Sequence, residues 1–173
     1  SLHHPRDVLA LQAGHQLDFF LGASRMLRDR IARALPAWDE RMPGYHALLG
    51  MHAFGLEETG DYEAAQARGE RSVELQPRDS WGWHAVAHVH EMRHAPRDGI
   101  AWLQPTSATW APGSFLGCHN WWHLALYHLE LDDHAEVLRL YDQAIGGTGS
   151  GVVLDMIDAS AMLWRLTLRG VDV

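Results

Sequence analysis

The sequence predicts an all-α protein, a right-handed α-solenoid of about four helical hairpins followed by one terminal helix. Three observations carry this. Apolar residues recur at three- and four-residue spacing along almost the whole chain, and no extended alternating run argues for a strand. Glycine and proline interrupt the apolar segments where helix corners and stops belong. The resulting pairs of segments recur about every 35 to 40 residues, the period of repeats that bury their apolar faces only against their neighbours.

The first hairpin covers residues 6–35, with Gly22 between its two helices and Pro36 ending the second, because proline disfavours helical geometry in the residue before it. The second covers 45–76, turning at Gly60 and stopping before Pro77. The third covers 80–103, turning at Ala95-Pro96. A loop of Pro, Ser, Thr and Gly over 104–114 leads to the fourth, 115–145. Residues Gly146 to Gly151 read as a flexible linker, and no Lys-Ser or Lys-Thr follows to make them a phosphate loop. A final helix over 153–168 has no partner after it, so the expectation is one domain, 1–173, with dimerisation through an exposed solenoid end.

Composition narrows the function. With 173 residues, 47% of them hydrophobic, the chain is long enough for one substantial core. The excess of 22 Asp+Glu over 14 Lys+Arg gives a net charge of -8, which repels phosphate backbones and anionic membranes and argues against nucleic acid or a membrane as partner. Cys118 is the single cysteine and has no internal disulfide partner. No basic-then-apolar leader opens the sequence, so a cytoplasmic location is expected. No apolar stretch approaches the ~18 residues that read as a membrane span.

Gly60-Asp61-Tyr62-Glu63-Ala64-Ala65, followed by Leu75 and Pro77, resembles the corner and second helix of a tetratricopeptide repeat, and Trp83 stands where the next such repeat prefers an aromatic residue. The match is degenerate in the first and fourth hairpins. More specifically, Phe19-Phe20-Leu21-Gly22, Gly50-Met51-His52-Ala53-Phe54-Gly55-Leu56-Glu57-Glu58, His84-Ala85-Val86-Ala87-His88-Val89 and Cys118-His119-Asn120-Trp121-Trp122-His123 resemble the tetratricopeptide-repeat protein 38 family. Members of that family are usually much longer, so the resemblance implies a central portion or a shortened member. It implies cytoplasmic helical repeats and brings no established reaction with it.

Thirteen histidines and eight tryptophans stand out against ordinary usage. With Trp83 as the aromatic marker of a tetratricopeptide-type hairpin, Trp81, His84, His88 and Glu91 fall on the concave face. Residues four and then three apart share one helical face, which supports this stripe independently. With Trp122 as marker, Asn120, His123, Tyr127 and Glu130 fall on the same face, and His119 lies one turn before His123. Trp81 is the aromatic candidate for ligand contact, whereas Trp83 and Trp122 are expected to fill the helix-pair core. His15 with Asp18 forms a weaker candidate site. His3, His4, His90, His94, His128 and His134 show no convergence and read as surface or boundary residues.

Two function classes follow. In one, the groove binds a peptide, a partner protein or a small ligand, although groove Lys and Arg that would favour carboxylate-ended peptides are scarce. In the other, His84, His88, His119 and His123 hold zinc or another divalent transition metal, with Glu91, Glu57 or Glu58 as ligand or proton carrier in a hydrolase or lyase. The pattern is not the zinc-protease His-Glu-x-x-His, because Ala85 stands in the place of the glutamate. Without a metal, the same groups can carry acid–base chemistry or simply hydrogen-bond one another as helix spacers. Cys118 beside His119 is expected to be an inert, buried thiol, since adjacent helical residues point about 100° apart.

Overall fold

The computed structural model describes residues 4–173; His3 lies outside the described residues. Among them every regular element is helical and there is no strand. The chain divides into two compact units, Ser1–Val89 and His90–Val173.

The first unit contains α1 (Val8–Phe20), α2 (Ser24–Ala34), α3 (Tyr45–Glu57), α4 (Tyr62–Leu75) and most of α5 (Ser80–Met92). Aspartates start two of these helices: Asp7 accepts a hydrogen bond from the Ala10 N–H, and Asp61 accepts one from the Ala64 N–H. Each cap satisfies a backbone donor that the first helical turn leaves unpaired. The corners at Gly22 and Gly60 have φ of 66° and 84°, the left-handed region that glycine enters without strain. Leu11, Ile31, Leu48 and Met51 pack together, as do Leu27, Phe54 and Ala85, and a third cluster joins Leu56, Ala65 and Val89. Helices α2 and α3 approach so closely that a Cβ on Gly55 would lie 2.5 Å from the Arg28 Cα.

The second unit contains the end of α5 and then α6 (Pro96–Leu103), α7 (Ser107–Trp110), α8 (Gly117–Glu130), α9 (His134–Leu140) and α10 (Val153–Leu168). Helix α8 is central, touching α6, α9 and α10. The segment expected to be a loop over 104–114 includes a 3-10 turn and the single-turn α7. Trp110 explains the difference, since it is buried and its indole N–H donates to the Leu103 carbonyl at 3.0 Å. The glycine-rich segment likewise begins with a 3-10 turn, Gly146–Thr148, where a Cβ on Gly147 would fall 1.8 Å from the Asp142 carbonyl oxygen. Those glycines permit close backbone approach as well as connection. On α10, Met156 and Trp164 are exposed, whereas Leu166 is fully buried. Among the described residues, no helix is long and apolar enough to cross a membrane.

Candidate metal-binding histidine pairs

In the first unit, α5 carries His84 and His88 one turn apart, so their rings meet on one helical face. Their Nε2 atoms are 2.9 Å apart. His88 presents its other nitrogen, Nδ1, to Glu57 Oε2 at 3.6 Å, and Glu57 is itself 5% exposed at the end of α3. Glu57, Glu58 and His88 each offer a ligand atom within 4.8 Å of the others'. Burial raises the Glu58 carboxyl above its ordinary range, partly offset by a hydrogen bond from Ser24.

Aromatic rings surround this pair. Phe54 lies 5.2 Å from His84 and 5.4 Å from His88, centroid to centroid, and Trp81 lies 5.6 Å from His84. Trp81 is half-buried, and it also meets His15 edge-on at 5.7 Å. His15 is 1% exposed, and desolvation lowers its pKa to about 4. Asp18, the other half of that weaker candidate, is held by Arg30 through two hydrogen bonds of 2.6 and 2.9 Å. This pair therefore anchors α1 to α2, and its carboxylate is already engaged.

The second unit repeats the motif with tighter support. On α8, His119 and His123 face each other with Nε2 atoms 3.2 Å apart. Nδ1 of His119 is 2.8 Å from Asp158 Oδ2 on α10, and Nδ1 of His123 is 2.9 Å from Glu91 Oε2. An ionised carboxylate can only accept, so each Nδ1 carries the proton and donates it. In the neutral rings this tautomer leaves both Nε2 lone pairs aimed at each other. His123 is only 2% exposed, and burial, reinforced by the neighbouring His119, holds its pKa well below the ordinary histidine value. Trp122 stacks on His119 at 5.5 Å with an 11° tilt between the planes, and the Arg165 guanidinium lies 5.1 Å from the Trp122 ring centroid.

Several expectations change here. Tyr127 does not line a groove: it is fully buried against α6, where a Cβ on Gly99 would come within 2.4 Å of its ring. Asn120 is also fully buried. Trp83 is buried as expected, with its indole N–H donating to the Pro77 carbonyl at 2.9 Å, but Trp122 is only half-buried and belongs to the surroundings of His119. His128, expected to be a surface or boundary residue, is buried beside Asp133 at 3.1 Å. Cys118 is half-buried, and desolvation together with Asp155 and Asp158 pushes its thiol up to about 12, so it is not a thiolate nucleophile at neutral pH.

Asp158 and Arg165 escaped the sequence reading. Asp158 did leave a signal: with Met162 and Leu166 it forms the buried face of α10 at four-residue spacing, a carboxylate on an apolar stripe.

No family model matches this chain.

Proposed function

We propose that the protein binds a divalent transition metal, zinc foremost, through the Nε2 atoms of its i,i+4 histidine pairs, His84/His88 and His119/His123. The single observation that carries this is the pairing in the second unit: two imidazoles, each with Nδ1 on a carboxylate, turn their Nε2 atoms toward each other at 3.2 Å. Two nitrogens on one tetrahedral zinc, each ~2.0–2.1 Å from the ion, stand about 3.3 Å apart. A cation at that position accepts a lone pair from each nitrogen. Metal-ligating histidines characteristically donate their other nitrogen to a carboxylate, which fixes the tautomer and increases ligand basicity.

On this reading Glu91 and Asp158 orient ligands and do not move protons, because His123 and His119 already occupy them. Glu57 approaches His88 Nδ1 only to 3.6 Å, beyond hydrogen-bond distance, so it stays with Glu58 as a candidate ligand or base. A bound zinc supplies Lewis-acid polarisation and an acidified water, the chemistry of a hydrolase or lyase. The burial of Asn120 and Tyr127 favours this reading over a peptide-binding groove. The repeat period and the motifs around Gly60 and Trp83 support a tetratricopeptide-like solenoid related to the tetratricopeptide-repeat protein 38 family.

The test is elemental analysis of the full chain purified without a histidine tag, as wild type and as His88→Ala, His119→Ala and His123→Ala. Stoichiometric zinc or another transition metal, reduced in each variant, is expected. A metal content near zero in the wild type after zinc incubation and desalting would contradict the proposal.

A further inference from the structure

A second feature of the His90–Val173 unit is a cavity of about 250 Å³ whose lining includes Glu91, Glu130, Arg165, Arg169, Leu126 and Leu168. It lies at or below the lower end of the size range of small-molecule sites, so it suits a molecule of amino-acid size. Its charges are of both signs. Arg169 is tied to Asp132 at 2.8 Å, which holds its position but engages part of its charge. Arg165 is in no ion pair among the described residues; its contacts are the Trp122 face at 5.1 Å and a long hydrogen bond of 3.4 Å to the Ala161 carbonyl.

An arginine packed on an aromatic face keeps its N–H edge available and loses little freedom when that edge meets a carboxylate in a two-pronged contact. Glu91 and Glu130 supply the opposite charge for an ammonium group. Leu126 and Leu168 supply apolar surface for a hydrocarbon chain. The whole protein carries a charge of -8, which repels a simple anion but not a molecule whose own charges cancel. We propose that this cavity binds a free aliphatic α-amino acid, with its carboxylate on Arg165, its ammonium group toward Glu130 and Glu91, and its side chain on the leucines.

Recognition in the cavity depends only on the residues that line it. Its place as the substrate end of the histidine centre rests on the metal reading, and two side chains make that link. Glu91 lines the cavity and also holds His123, and Trp122 contacts both Arg165 and His119.

The experiment is calorimetric titration of the full chain with L-leucine, N-acetyl-L-leucine and L-leucinamide, with zinc content measured on the same preparations. Leucine should bind, and each blocked analogue should bind about tenfold or more weakly because it leaves one charged wall unmatched. Arg165→Gln should lower leucine affinity at least tenfold and abolish the preference over leucinamide, Arg165→Lys should lose less, and Glu130→Gln should reduce the preference over N-acetyl-leucine. Helical circular dichroism and melting confirm folding of each variant. No binding of leucine at millimolar concentration, or unchanged affinity in folded Arg165→Gln and Arg165→Lys, would overturn the amino-acid site even where zinc is bound. Arg165-dependent leucine binding in a protein that takes up no zinc would support the cavity and remove the metal reading alone.

Discussion

The two nitrogens of His119 have separate partners, Asp158 at Nδ1 and His123 at Nε2, and that division explains why the carboxylates matter. Removing one frees the ring to rotate or to take the other tautomer. Asp158→Ala should therefore weaken zinc affinity about 10–100-fold, and Asp158→Asn, which still offers an acceptor oxygen, should weaken it less; competition against a chromogenic chelator measures both. The spacing of four made each histidine pair legible in the sequence, since one helix fixes it. The carboxylate partners were not equally legible, because Asp158 reaches His119 from a helix 39 positions away. A second prediction at this scale concerns His15. Its folded pKa of about 4 lies below the 6.5 of a free histidine, so the unfolded chain binds the extra proton between those values. The neutral ring thus contributes stability that is complete above pH 6.5 and is lost as pH falls toward 4, with a ceiling on the order of 3 kcal/mol. In chelator-treated protein, His15→Gln should flatten the fall in Tm between pH 7 and 5, and an unchanged slope would contradict this assignment.

At the scale of elements, small residues decide where helices touch. Gly99 faces the buried ring of Tyr127, and Gly55 faces the Arg28 backbone, with no room for a methyl group in either place. Gly99→Ala and Gly55→Ala should each destabilise by about 1–3 kcal/mol through overpacking, read as a lower denaturation midpoint at unchanged slope. The principal helix boundaries were legible because their signals are local: glycine, at positive φ, in the corners after α1 and α3, and proline opening α6. The single turn of α7 was not, since it depends on Trp110 finding a buried place and a backbone acceptor at Leu103. The same limit applies to Tyr127. Its position on α8 suggested the concave face, but the absent side chain of Gly99 on another helix is what makes room for its ring.

For the whole molecule, bound metal should stabilise the native fold by mass action, because the unfolded chain offers no preformed pair of imidazoles. Dialysis against a chelator should lower Tm by about 5 °C or more, readdition of zinc should restore it, and a combined His119→Ala and His123→Ala variant should lose at least part of that response. The proposed ligands are imidazole nitrogens, which have their own spectroscopic signature. X-ray absorption at the zinc edge of tag-free, zinc-loaded protein tests that most directly. Nitrogen scatterers at ~2.0–2.1 Å are expected, with outer-ring imidazole scattering that diminishes in His123→Ala; an all-oxygen shell without imidazole scattering, identical in wild type and variant, would overturn histidine ligation.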